Sequence, residues 1–222
     1  MNYKRSEIAS DTIENFFSYL FKIIPQCKRN VHYSEELIEK INQNMIDDKS
    51  VQVLKVYETA FSEGRNMNSL LSNNIKQTQK ADFLRYTWHI YHLHMSGKIV
   101  EDENQMKNNR SDTQLLCIIC ENDVYFIDVI SHPKNPEEYF NIQTLEIIYH
   151  NGWMEHIGFL QIENIDSETL QPKITDTEQI FKLYSKGRVN MQFEFHGKVY
   201  SPIKLMSADG HPYDATDRLI ML

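Results

Sequence analysis

The stretch "YTWHIYHLHM", residues 86–95, decides how this chain is read. It packs three histidines, two tyrosines and a tryptophan into ten positions. On a helix, His92 and His94 would point about 200° apart and could not share a ligand. On a strand, they share a face with Ile90. The short alternation and the aromatic content predict a strand.

Upstream of this stretch the periodicity is helical. Apolar residues at 8, 13, 16, 17, 20, 21 and 24 predict a helix over 7–24, stopped by Pro25. "SEELIEKINQNMI" predicts a second helix, capped by Ser34, with Leu37, Ile38, Ile41 and Met45 as its apolar stripe. "SVQVLKVYETAFSEG" predicts a third, with Ser50 as cap and Gly64 at its C-terminal end. A fourth, weaker one runs from about Ser69 to Phe83.

Downstream, "TQLLCIICENDVYFIDVIS" reads as a β-hairpin around Asn122-Asp123. That register sets Ile119 against Phe126 and Cys117 against Asp128. "PEEYFNIQTLEIIYHNGW" predicts a helix over about 136–150. "RVNMQFEFHGKVYSPIKL" predicts two strands around His196-Gly197. The expected fold is α+β: a helical region over 1–85, a small antiparallel sheet with a flanking helix over 86–157, and a β-rich extension over 158–222. The three are read as one continuous domain.

Hydrophobic residues make up 41% and charged residues 24%, enough to bury a core in a chain of 222 residues. No apolar run approaches the roughly 18–20 residues of a membrane span, and the first residues lack a secretory apolar stretch. The expected location is cytoplasmic, with no membrane partner. Residues 1–90 hold 12 Lys+Arg and 11 Asp+Glu, whereas residues 91–157 hold 4 and 11. The histidine-rich middle is therefore acidic, which opposes contact with a phosphate backbone. Cys117 and Cys120 form a CxxC inside an apolar run, where strand geometry sends them to opposite faces. They read as reduced core residues, as do Trp88, Tyr91 and Trp153 on their aromatic bulk.

An HxH pair on a strand suits either metal binding or a general acid and base side by side. Asp128 and His132 follow on the second hairpin strand, and Arg110 precedes the first. The candidate catalytic residues are thus His92, His94, Arg110 and His132, with no cofactor. In a metal-dependent alternative, His92, His94, Asp128 and His132 hold a divalent ion.

The order Asp82, Trp88, His92, His94, Arg110, Leu115, Leu116, Asp128 and His132 resembles a family of uncharacterised bacterial proteins. That family carries a W-x-I-x-H-L-H-L motif, an arginine-led L-L run and an aromatic I-D-V strand followed by histidine. The likeness spans roughly residues 70–153, and Cys117 stands where the family has an aromatic residue. More loosely, "RSDTQLLCIICENDVYFIDVISH" is similar to the sheet of RelE-like toxin endoribonucleases. That resemblance implies a metal-independent toxin or phage-defence enzyme cutting RNA. In it, His92 or His94 would move protons and Arg110 would clamp the phosphate. The other class is a non-catalytic acidic module, an inhibitor or antitoxin-like binder of a basic protein. A β-rich C-terminus with an open edge also allows a homodimer.

Overall fold

The computed structural model describes residues 19–20, 22–72, 83–100, 111–163, 173–180 and 192–202. Its deciding feature is a backbone reversal at His89, where φ is 55°. Helix Phe83–Trp88 ends there and strand Ile90–His94 begins. The helix thus runs about one turn further than the expected sheet boundary near Tyr86. Leu84 and Trp88, four residues apart on one helical face, are both buried, so one more helical turn seats the indole in the core. Gly158 packs against this helix end. A Cβ there would lie 2.3 Å from the Thr87 carbonyl oxygen, so only glycine fits the approach.

The main sheet holds strands β1 (Asn30–Tyr33), β2 (Ile90–His94), β3 (Thr113–Ile119) and β4 (Asp123–Ser131), in the order β1-β4-β3-β2. β1 runs parallel to β4 and the other pairs are antiparallel. The sheet is therefore mixed, not purely antiparallel, and it borrows a strand from the region expected to be helical. Four residues, "NVHY", carry too short a pattern to signal a strand. β1 forms because β4 offers it an open edge, with Asn30 N–H donating to the Asn122 carbonyl at 2.8 Å.

The hairpin register also differs by one residue or more from the expected one. Cys120 N–H donates to the Asp123 carbonyl, so Glu121-Asn122 form the turn. Cys117 faces Phe126, and the register then shifts between Leu116 and Cys117, setting Leu116 against Asp128. The physical reason is burial. Cys117 and Phe126 are both fully buried, and the expected pairing would have pressed a carboxylate against that apolar site.

α1 (Glu35–Asn42) and α2 (Asp48–Glu63) cover one face of the sheet. Leu37, Val53, Leu54, Tyr57 and Phe61 form one cluster with Tyr91, Leu93, Leu115, Cys117 and Phe126. α3 (Phe83–Trp88), α4 (Ile142–His150) and a second sheet cover the other face. There Trp88, Leu145 and Ile148 join Ile90, Leu116, Ile118 and Ile127 in a separate cluster. The result is a layered α+β architecture.

Ser34 caps α1 as expected, its hydroxyl accepting from Leu37 N–H at 3.0 Å. That helix stops at Asn42, which leaves Met45 of the predicted stripe beyond it and exposed, while Ile38, inside the helix, also faces solvent. α2 starts earlier than read. Asp47, not Ser50, is its cap, taking the Ser50 N–H at 2.9 Å and the Ser50 hydroxyl at 2.7 Å. These bonds, the hydroxyl's first, hold the Asp47 carboxyl below the usual carboxylate range. Gly64 ends α2 at φ 74°, as its position predicts.

The helix expected over 136–150 is split into a 3₁₀ turn, Pro136–Tyr139, and α4. Asn141 breaks the run by capping α4 at the Gln143 N–H. The second sheet contains β5 (Phe159–Ile162), β6 (Phe193–Phe195) and β7 (Lys198–Pro202), in the order β5-β7-β6. His196 and Gly197, at φ 52° and 74°, make the β6–β7 turn where it was expected. The helices read over 7–24 and 69–83 lie mostly outside the described residues. Among the described residues, no helix is long and apolar enough to cross a membrane.

Candidate functional site

β2 builds the site by alternation. Tyr91 and Leu93 enter the cluster under α1 and α2, while Ile90 enters the opposite one. His92 and His94 therefore lie on the Ile90 face. Cross-strand pairing sets His92 beside Leu116, and His94 beside Gln114, which in turn pairs with Ile130. The neighbours of His94 are thus fixed by sheet register.

His132 completes the group from the end of β4. Its backbone N–H donates to the Asp112 carbonyl at 2.7 Å, which continues the ladder one residue past Ser131. Its ring stacks on that of His94, with centroids 5.5 Å apart and planes 23° apart. His94 is buried at 6% exposure, whereas His132 is open to solvent. Nδ1 of His132 lies 2.8 Å from the Pro133 carbonyl oxygen. A carbonyl only accepts, so this contact holds the proton on Nδ1 and leaves the lone pair on Nε2.

The 3₁₀ turn supplies the roof. The Tyr139 ring lies 4.9 Å from that of His92, and its hydroxyl donates to Gln114 Oε1 at 2.6 Å. Gln114 is fully buried. Among the described residues, its Nε2 and His92 Nδ1 have no hydrogen-bond partner. Two buried polar atoms with no bond cost stability, each by about 1–3 kcal/mol. Such a cost is more common at functional sites than in cores selected for stability alone.

Beside this group opens a cavity of about 530 Å³, lined by residues including Ile130, His132, Lys134, Glu138, Tyr139 and Thr144. Glu138 secures its rim, taking the Lys134 N–H at 3.0 Å and the Asn135 side-chain amide at 2.9 Å. The carboxylate is thereby committed to the loop, while Lys134 itself is exposed.

Compared with protein-family models, with curated proteins and with solved structures, the chain matches none of them. The site is therefore judged on its own chemistry.

Of the residues singled out from sequence, His92, His94 and His132 come together on one face. Asp128 does not join them. Lys40 holds both its oxygens, at 2.8 and 2.6 Å. The cause lies in α1, which takes over the edge of β4 where β1 stops. Ser34 donates its hydroxyl to the Ile127 carbonyl, and Lys40 reaches the next side chain along. Among the described residues, no group of three or more His, Cys, Asp or Glu is arranged to hold a metal ion. Arg110 lies outside the described residues.

Gln114, Lys134 and Tyr139 were missed. Gln114 carried a signal: it is a polar residue at the head of the apolar run "LLCII". Neither hairpin cysteine is an activated nucleophile. Burial pushes the Cys117 thiol well above its ordinary value, and burial followed by the nearby Asp123 raises that of Cys120. Both are free thiols on opposite faces, as the alternation predicted. Cys120 is half-exposed, however, because it sits where the strand gives way to the turn.

Proposed function

We propose that this chain cleaves ribonucleotide phosphodiester bonds by metal-free acid–base chemistry, with His132 as base and His94 as acid. The observation that carries the reading is the stacked His94–His132 pair, whose exposed member, His132, lines a cavity together with the exposed Lys134. Imidazoles change charge near neutral pH, so two side by side can take up one proton and release another in the same step.

The sequence of events is as follows. Nε2 of His132 takes the proton of a ribose 2′-hydroxyl. The 2′-oxygen attacks the adjacent phosphorus, and Lys134 faces the charge that builds on the phosphoryl oxygens. His94 gives its proton to the departing 5′-oxygen. The products are a 2′,3′-cyclic phosphate and a free 5′-hydroxyl. Gln114 holds Tyr139, and Tyr139 packs on the His92 ring, which braces the strand face that carries His94.

The test is incubation of single-stranded RNA with wild type and His132→Ala in EDTA, followed by end-group analysis. Wild type should leave cyclic phosphate ends, and the variant should lose about 10²–10⁴ in rate. His132 is exposed, so melting temperatures should match. Cleavage that His132→Ala leaves unchanged rules the assignment out. A second reading, a non-catalytic module for a basic protein partner, is favoured by the 11 carboxylates against 4 cations of residues 91–157. Wild type that cuts no RNA would favour it.

A further inference from the structure

We propose that Tyr139 fills a nucleobase subsite in the free protein, and that the base next to the scissile phosphate displaces its ring to reach Gln114 and His92. The inference rests on the acid–base reading above and names the part of the substrate that this corner recognises. What carries it is the unmet bonding of Gln114 together with the place the phenol holds.

Gln114 is fully buried, and its carboxamide presents an acceptor and a donor side by side. The acceptor, Oε1, takes the Tyr139 hydroxyl at 2.6 Å. The donor, Nε2, and Nδ1 of His92 meet no partner among the described residues. A phenol has one polar atom and satisfies only one side of the amide. A nucleobase edge that sets a donor beside an acceptor, as adenine does with N6–H and N7, answers both. The ring also matches. Tyr139 lies over His92 with centroids 4.9 Å apart and planes 34° apart, where a flat base would stack on the imidazole.

The subsite adjoins the acid. Gln114 stands directly across from His94 in the β2–β3 ladder, where facing side chains start about 4.5–5.5 Å apart. A base held by Gln114 therefore brings its own sugar and phosphate toward the His94–His132 pair. Tyr139 has room to leave, because it also lines the cavity beside His132. The backbone after it is fixed, since Phe140 is buried and Asn141 caps α4. Displacement is thus a change of rotamer into the cavity, against the loss of one hydrogen bond. In the free protein the phenol braces the strand face, and in the complex the base does.

The experiment titrates the full chain with adenosine, guanosine, cytidine and uridine, which carry a base and no phosphate, and with ribose as control. Binding is read from the side-chain amide resonances of Gln114 and the ring resonances of Tyr139. At least one nucleoside should move both, and ribose neither. Tyr139→Phe removes the bond that holds the ring in place, so that nucleoside should bind about two- to tenfold more tightly. A variant that failed to fold could not bind more tightly. Gln114→Leu should weaken binding by about tenfold or more. Nucleosides that leave both sets of resonances unmoved, or a Tyr139→Phe that binds no more tightly, overturn the inference. If RNA is still cut in those cases, the acid–base reading stands without it. If a nucleoside binds as expected and no RNA is cut, the subsite stands and the catalytic reading falls.

Discussion

The two faces of the central sheet are built to different rules. Under α1 and α2, Leu93, Leu115, Cys117, Val124 and Phe126 are all fully buried and apolar. On the opposite face the packing begins in the same way, with Ile90, Ile118 and Ile127, and then changes toward the end of β4. There His94, Gln114 and His132 replace hydrocarbon, a cavity opens, and two buried polar atoms go without a bond among the described residues. The strands are the same and only the alternate residues differ. One face maximises burial, whereas the other gives up stability at one corner to hold polar groups in place.

Truncation of the apolar face should have the largest effect. Phe126→Ala removes a fully buried ring from between Phe61 and Tyr33. It should cost about 3–5 kcal/mol in denaturant unfolding, with a cavity term added to the lost transfer energy. A loss below about 1 kcal/mol would mean that this face tolerates voids, and the contrast between the faces would collapse.

Alkaline pH tests the same face through Tyr57, which is fully buried and donates to the His94 carbonyl at 2.6 Å. Burial pushes its phenol up to about 12 from an ordinary 10.0. The sign follows from linkage. The folded protein keeps this proton while the unfolded chain releases it, so the stabilisation is complete below pH 10 and is lost as pH rises toward about 12. Two pKa units correspond to roughly 3 kcal/mol. In urea titrations from pH 9 to 12, wild type should therefore lose stability more steeply than Tyr57→Phe, by an amount of that order. Parallel pH profiles would show that the hydroxyl is not sealed from water.

The polar corner gives the smallest effect, and in the opposite direction. Gln114→Leu combined with Tyr139→Phe removes both members of a hydrogen bond together with the unbonded amide. Replacing both partners by apolar groups is near neutral or stabilising, so the double variant should melt at the same temperature or higher, by about 1 kcal/mol. Turnover should fall, because the roof over His92 loses its anchor. A large loss of stability would instead make this corner part of the core, and the comparison between faces would need revision.

Much of the fold was legible residue by residue. The switch from helical to alternating period, expected near Tyr86 and found at His89, the caps Ser34 and Gly64, the His196-Gly197 turn and the shared face of His92 and His94 all follow from local stereochemistry. The errors are equally specific. β1 was invisible because four residues exist as a strand only against the edge of β4. The hairpin register was misjudged because Asn122-Asp123 is an acceptable turn by itself, and only the burial of Cys117 against Phe126 rejects it. Asp128 looked like a neighbour of His92 and His94 until α1 brought Lys40 to it.

By itself, then, the chain's sequence determined what depends on bonds between near neighbours: period, caps, turn chemistry, and the spacing that aligns two histidines on β2. Tertiary structure alone decided what depends on which distant segments meet. It brought His132 onto His94 across 38 residues, set Tyr139 over His92, withdrew Asp128 to Lys40 and left a cavity beside Lys134. The physical reason is that local preferences act within a few residues along the chain. The burial of two apolar faces fixes register and strand order over the whole sheet, and that register determines which polar groups come to share the remaining corner.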